Sequence, residues 1–159
     1  MRRLRSFLAL LAVVGGNAAC GKTAEEPPPI VWHHDVESGR AAAIAQNKLA
    51  IIFFHADWDC GSKEYEHTTF VDPQVRALLH KDFVAIEVDV SDEEQTETRR
   101  LSERFGIIGV PTLVILGPDL AREEGRANQY LDGRSLAGLL VSAKENAEHR
   151  QFRSLASAH

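Results

Sequence analysis

The chain has 159 residues, of which 44% are hydrophobic and 26% are charged, a composition typical of one globular domain. This excludes two or more full domains, a fibrous repeat and wholesale disorder. The two cysteines exclude a disulfide framework, and the formal net charge of -5 disfavours a nucleic-acid-binding protein, which normally carries a basic face.

The first 19 residues predict an export signal. They contain Arg2, Arg3 and Arg5 but no acidic residue, and an apolar run at residues 7–14 is followed by small residues. The run is shorter than the roughly 20 apolar residues that a membrane-spanning helix needs. Taking the three leader arginines from the 18 basic residues leaves 15 against 23 acidic ones, a net charge of -8.

The first cysteine follows this leader directly. Asn17-Ala18-Ala19-Cys20 resembles the end of a bacterial lipoprotein signal, although Asn17 departs from the usual apolar residue. The resemblance implies that residues 1–19 are removed and that Cys20 is acylated; ordinary cleavage nearby, which leaves Cys20 a plain thiol, is the alternative. Residues 20–29 contain three consecutive prolines and predict a flexible tether.

The remaining chain alternates between strand and helix signals. Apolar or alternating runs predict strands at residues 30–32, 49–56, 83–90 and 112–116, with a return strand or hairpin arm within 120–131. Helices are predicted after Asp35 to residue 46, over residues 63–69, from Asp72-Pro73, from a Ser91/Glu94 capping box to Phe105, and after Asp132.

This order of elements predicts an α/β fold with a central mixed sheet and helices on both of its faces. The folded domain is expected to span residues 30–147. Residues 148–159 are expected to form a polar tail that frays.

The segment directly after the predicted central strand narrows the fold class. His-Ala-Asp-Trp-Asp-Cys-Gly-Ser-Lys at residues 55–63 resembles the active-site turn of thioredoxins, and Val110-Pro111-Thr112 resembles their cis-proline loop. Together with Asp72-Pro73-Gln74-Val75, these motifs are similar to the C-terminal periplasmic domain of DsbD-type thiol:disulfide interchange proteins over about residues 30–145. The resemblance implies a thioredoxin-like fold.

The same resemblance implies that the standard dithiol chemistry is missing. The family uses an attacking thiolate and a second thiol three residues later, and those positions hold Asp59 and Ser62. A buried carboxylate that the family commonly places in the central strand is replaced by Phe53.

Cys60 is the one remaining candidate for catalysis. It lies one residue past the family's nucleophile, where the helix dipole favours a thiolate and the charge of Asp59 opposes it. Either Cys60 acts as a monothiol that forms mixed disulfides, or it is a single cysteine tolerated in a turn. A disulfide with Cys20 requires that Cys20 escapes acylation.

The resemblance also implies a binding groove formed by Trp58, Asp59, Val110, Pro111 and Thr112. Each of these residues has a structural alternative. Asp59 is expected to be a helix N-cap, Trp58 is a groove wall or a packing residue, and Pro111 is a cis-proline beside a bound strand or a structural turn.

A metal site is a weaker hypothesis. His55, Asp57, Cys60 and His67 fall near one loop, and such side chains bind zinc or copper. No tight ligand spacing supports the hypothesis, so neither a metal nor a cofactor is predicted. His33 and His34 are expected to be solvated.

Two functions of different classes follow. In the first, the domain is a non-catalytic module, tethered to an envelope membrane by lipid on Cys20, that binds extended segments of an envelope protein client at the groove of Trp58 and Pro111. In the second, it is a protein thiol-disulfide oxidoreductase that uses Cys60 with a redox partner. Both place the protein in the bacterial cell envelope with the domain in the periplasm, and neither involves nucleic acid.

Overall fold

The computed structural model describes residues 26–92 and 95–157. The predicted leader and Cys20 lie outside this range. Within it, five strands and five helices follow one another along the chain, and the second helix continues as a π-helical turn over Tyr65–Thr69. The elements are β1 (Trp32–His33), α1 (Val36–Gln46), β2 (Leu49–His55), α2 (Cys60–Glu64), α3 (Pro73–Asp82), β3 (Phe83–Asp89), α4 (Thr96–Phe105), β4 (Thr112–Leu116), β5 (Glu123–Ala127) and α5 (Gly133–Ala156).

The strands form one mixed sheet in the order β1-β3-β2-β4-β5. β3 runs parallel to β1 and to β2, whereas β4 is antiparallel to β2 and to β5. The central strand β2 is buried from Leu49 to Phe54, as its continuous apolar run predicts. The predicted mixed sheet is therefore confirmed.

Helices cover both faces of the sheet, which also confirms the prediction. One face packs against the π-helical turn, α3 and α5, and its core includes Phe53, Tyr65, Leu79 and Leu140. The other face packs against α1 and α4, and its core includes the alternating valines and isoleucine of β3. α1 approaches β3 so closely that a Cβ on Gly39 would lie 2.4 Å from a side-chain carbon of Ile86.

Three helices begin at the aspartates that the sequence indicated. Asp35 accepts a hydrogen bond from the N–H of Ser38, Asp72 caps α3, and Asp132 accepts from the N–H of Ser135. These bonds satisfy amide groups that have no partner inside the helix.

The predicted capping box at Ser91 is wrong. α4 begins at Thr96 after Gln95, which makes no side-chain cap, and Glu94 lies outside the described residues. The Ser91 hydroxyl instead accepts a hydrogen bond from the N–H of Asp57 and donates one to Asp89. The contact with Asp57 joins segments 34 residues apart, so a local four-residue pattern does not reveal it.

The predicted fraying after Glu148 is also wrong, because α5 continues to Ala156. An ion pair between Arg150 and Glu124 of β5 holds the helix where the polar sequence predicted its end.

His34, predicted to be solvated, is exposed but pairs through Nδ1 with Glu87 Oε1 at 2.7 Å. No helix within the described residues is long and apolar enough to cross a membrane.

Candidate functional site

The candidate site lies where β2 ends and β4 begins. β2 and β4 are antiparallel, with Phe54 opposite Thr112, so the loop after β2 and the loop before β4 meet at one edge of the sheet. We call this end of the strands the site edge. Residues 56–59 connect β2 to α2 there, and the Val110–Pro111 peptide lies directly before β4.

Asp59 caps α2, as predicted. Its Oδ2 accepts a hydrogen bond from the N–H of Ser62 at 2.6 Å and another from the Ser62 hydroxyl at 2.9 Å. The carboxylate thus satisfies an amide of the first turn that has no partner within the helix. Asp59 is therefore a structural hydrogen-bond acceptor at the start of α2.

Ser62 is completely buried. Besides donating to Asp59, its hydroxyl accepts a hydrogen bond from the N–H of Ala56 at 3.3 Å. Ser62 therefore links both ends of the loop that contains Trp58. A hydroxyl in this place cannot exchange a disulfide.

Cys60 is the first residue of α2, and its thiol is free and exposed. Asp59 and Ser62 turn toward each other across the first turn, while Cys60 faces solvent. Among the described residues it is the only cysteine, because Cys20 lies outside them. The Cys60 thiol is thus open to solvent, whereas the Ser62 side chain is buried.

Pro111 lies against the start of α2, and the Val110–Pro111 peptide is cis, as predicted. A Cβ on Gly61 would lie 2.9 Å from Pro111 Cδ and 3.0 Å from Cγ. Thr112 is buried and donates its hydroxyl to the carbonyl of Gly109 at 2.7 Å. Glycine at position 61 therefore allows the start of α2 to contact the loop of Pro111.

A groove of about 330 Å³ opens beside this contact. Its walls include Trp58, which is 58% exposed, and Ile108, which is 93% exposed. Of the other predicted groove residues, Val110 lines this groove, whereas Asp59, Pro111 and Thr112 do not. The groove is lined by Trp58, Val90, Thr98, Arg99, Ser102, Ile107, Ile108, Gly109 and Val110.

The sequence analysis missed the contribution of α4 and of Ile108 to this groove. Thr98 and Ser102 lie four residues apart on α4 and therefore on one side of the helix. A signal for Ile108 was available: two consecutive isoleucines directly precede Gly109 in a segment with no strand or helix pattern. An apolar pair in a loop marks exposed apolar surface.

Phe53 and His55 lie beneath the loop on the opposite face. Phe53 is 1% exposed and stacks on the His55 ring with centroids 5.1 Å apart. His55 Nδ1 lies 3.8 Å from Glu66 Oε1, and its Nε2 is buried without a hydrogen-bond partner. Phe53 is thus part of an aromatic cluster that also contains Tyr65 and Phe70.

The residues of the metal hypothesis do not converge in the described part of the chain. No three His, Cys, Asp or Glu side chains there form a group that would hold a metal ion. The loop at Asp57 is stabilised by a hydrogen bond from the Asp57 N–H to Ser91 Oγ at 2.9 Å. Ser91 in turn donates its hydroxyl and its N–H to Asp89.

This network affects the charge state of Asp89. Burial raises the pKa of Asp89, but the hydrogen bonds from the Ser91 hydroxyl and amide, together with the nearby His55, hold it below its usual value. The ionised carboxylate therefore supports Ser91 and, through it, the loop that contains Trp58.

Comparison with known proteins gives a consistent pattern. A family model described as Thioredoxin-like matches residues 31–118. The thiol:disulfide interchange protein DsbD of Pseudoalteromonas atlantica is 38% identical over 80 residues, which cover 50% of this chain and 13% of that protein. The match thus spans a small part of the relative's length.

Two solved structures agree on the fold. A thioredoxin from Thermus thermophilus aligns with a TM-score of 0.58 at 25% identity, covering 74% of this chain and 87% of that one. The reduced C-terminal domain of Neisseria meningitidis DsbD aligns with a TM-score of 0.61 at 16% identity, covering 71% of this chain and 99% of that one.

Proposed function

Because the chain belongs to the thioredoxin-like family, we propose that it uses the family's groove for binding without the family's dithiol chemistry. The proposed ligand is an extended segment of an envelope protein, held between Trp58 and the loop of Pro111. The observation that carries this proposal is the exposed pair of Trp58 and Ile108 beside an open groove, next to dithiol positions occupied by Asp59 and Ser62.

Binding of an extended segment suits both walls of the groove. Trp58 and Ile108 offer large apolar side chains, which commonly provide most of the affinity in a small interface. The irregular loop of residues 106–111 adjoins β4, and exposed backbone of such loops pairs with an added extended strand. Apolar side chains of the ligand would fill the groove while its backbone follows the loop.

Membrane anchoring in the cell envelope is part of the proposal. It rests on the leader and on Cys20. Intact mass of the protein purified from membranes tests it. Loss of residues 1–19 with the added mass of acyl chains supports anchoring, while an unmodified Cys20 contradicts it.

The binding proposal is tested with a fluorescently labelled, carboxymethylated protein that stays unfolded. Trp58→Ala/Ile108→Ala is expected to weaken its binding at least about tenfold. Val31→Ala is the matched control, because Val31 is 80% exposed and lies before β1, away from the groove. Equal binding by the wild type and the groove variant would overturn the proposal.

A monothiol oxidoreductase is the second candidate, favoured by the exposure of Cys60 at the first residue of α2. In this mechanism the Cys60 thiolate attacks one sulfur of a client disulfide. A mixed disulfide forms, and the second client sulfur leaves as a thiolate. One thiol of a partner dithiol then attacks the Cys60 sulfur and releases the reduced client, and the second partner thiol releases Cys60 as the partner's own disulfide forms.

Reduction of a disulfide substrate by a partner dithiol separates the two candidates. Turnover that disappears in Cys60→Ser, with faster alkylation of Cys60 at neutral pH than of free cysteine, supports the monothiol and contradicts a purely non-catalytic module. Equal rates for the wild type and Cys60→Ser contradict the monothiol. Groove binding in the unfolded-protein assay is measured on the same variants.

A further inference from the structure

We propose that the end of α5 is a second interaction surface, which contacts an anionic lipid surface through Phe152 and Leu155. The surface consists of the last two turns of the helix and of the basic residues beside it. We call it the tail surface. It goes beyond the proposed groove and does not use any residue of the site edge.

The tail surface lies at the opposite end of the sheet from the groove. β2 and β3 start together, with Leu49 opposite Phe83, and β4 ends beside them. A seven-residue strand spans about 20 Å, which separates this far edge from the site edge. The end of α5 approaches the far edge, since Arg150 and Gln151 line a cleft with Asn47 and Gly117.

α5 extends past the core of the domain. Ala147 is the last of its residues in contact with the core cluster, and Arg150 pairs with Glu124 of β5. The helix then continues, with Phe152 74% exposed and Leu155 64% exposed. Residues three apart lie on one helix face, so the two side chains form one apolar patch.

Basic residues outnumber acidic ones in the last segment of this acidic protein. Residues 149–159 contain two arginines and two histidines but no aspartate or glutamate. Arg122 and Arg153 are exposed, whereas Arg150 is paired with Glu124 and the nearby Glu148 with Lys144. A helix end with apolar side chains and flanking basic residues favours an anionic membrane surface.

The N-terminal segment reaches the domain at the same edge. Glu26 Oε1 lies 3.5 Å from Arg76 NH1, and Pro28 and Pro29 line a cleft with His80 and Phe83. Six residues, 20–25, precede this contact and span at most about 20 Å when extended. Lipid on Cys20 would therefore keep the far edge close to the membrane and direct the groove away from it.

A second copy of the chain is a less suitable occupant. Two tails that meet would bring the basic residues of both copies together, and like charges repel. An anionic surface instead attracts them, at short range and in a salt-dependent manner. The tail surface thus fits lipid headgroups, with Phe152 and Leu155 entering the boundary between headgroups and acyl chains.

Hydrogen exchange of the full chain on vesicles tests this inference. On vesicles that contain phosphatidylglycerol, amide exchange of residues 149–157 is expected to slow at least about tenfold relative to pure phosphatidylcholine vesicles. Phe152→Gln/Leu155→Gln should abolish the difference. Val141→Gln is the matched control, because Val141 is an exposed apolar residue of the same helix that lies outside the tail.

The inference rests in part on the proposed anchoring, and the two fail in different ways. Intact mass reports whether Cys20 is acylated, whereas the exchange of residues 149–157 reports contact of the tail, including for an unacylated chain at saturating lipid. Unchanged exchange on both kinds of vesicle would overturn the tail surface. Protection that instead increases with protein concentration, without vesicles, would also overturn it and identify a second copy as the occupant.

Discussion

Ser62 donates both its N–H and its hydroxyl to the same carboxylate oxygen of Asp59, at 2.6 and 2.9 Å. Both residues occupy positions where the resemblance to thioredoxins implies thiols. The pair forms a helix cap, with the Ser62 side chain completely buried. Its contribution to folding is therefore measurable apart from any catalysis.

Asp59→Ala is expected to lower the free energy of unfolding by about 1 to 2 kcal/mol, because it removes an N-cap and leaves the buried Ser62 hydroxyl with one partner fewer. Asp59→Asn should lose less, since its amide oxygen can replace Oδ2 and accept both hydrogen bonds without the negative charge. Urea denaturation of the three proteins measures the difference. Equal losses for both variants would contradict a capping role.

Replacing the pair by thiols tests whether the rest of the site still supports exchange. Asp59→Cys/Ser62→Cys is expected to reduce a disulfide substrate faster than the wild type or either single variant, since the fold again has an attacking and a resolving thiol. The rate should stay below that of a thioredoxin, because Phe53 provides no carboxylate beneath the site. No gain over Asp59→Cys alone would show that position 62 does not present a resolving thiol.

Gly61→Ala is expected to destabilise the protein by about 1 to 3 kcal/mol. The added Cβ would meet the rigid ring of Pro111 at 2.9 Å and Asp59 Oδ2 at 3.3 Å, so the two loops must separate. The midpoint temperature of thermal unfolding and the affinity of the groove for its ligand are both expected to fall. Gly138→Ala is the control, because a Cβ on Gly138 of α5 meets no atom within 4 Å; an equal effect of both changes would contradict the contact.

Much of the fold follows from local signals. The apolar run of β2 and the aspartates before three helices each act within a few residues, so a single sequence shows them. Asp59 was similarly identified as a cap from its place before a helix. What the sequence analysis missed depends on contacts between distant segments: Ser91 bonds to Asp57 across 34 residues, and Arg150 pairs with Glu124 of β5.

The candidate site divides in the same way. The sequence indicated where the groove lies, because the motif around Trp58 and the motif around Pro111 are each continuous in sequence. Helix α4 adds a wall to the groove through Thr98 and Ser102. Predicting this wall requires knowing how the helix lies across the sheet. Hydrophobic periodicity does not identify this contribution, because both residues are polar.

Tyr65→Phe is expected to lower the free energy of unfolding by about 1 to 3 kcal/mol. The Tyr65 hydroxyl is buried, donates to the carbonyl of Gln129 and accepts from the N–H of Leu131, both at 3.0 Å. Its loss leaves two backbone groups before α5 without this partner. Tyr130→Phe is a partial control, since Tyr130 is less buried; a larger loss there would contradict the role given to Tyr65.

Ser91→Ala is expected to lower the free energy of unfolding by about 1 kcal/mol at pH 7, with a smaller deficit near pH 3. The pKa of Asp89 lies below its usual value because hydrogen bonds from Ser91 outweigh the effect of burial. A lowered folded-state pKa stabilises the protein above the unfolded value of about 3.9, and this stabilisation disappears as the pH falls through the folded value.

Without the Ser91 hydroxyl, the pKa of Asp89 should return toward its usual value, and the variant should differ least from the wild type in acid. The bond from the Asp57 N–H is lost at every pH, so a residual deficit remains. Urea titrations across this range measure both parts, with Asp89→Asn as the control that removes the titrating group. A deficit independent of pH would contradict the coupling of Ser91 to Asp89 and leave only its support of the loop at Asp57.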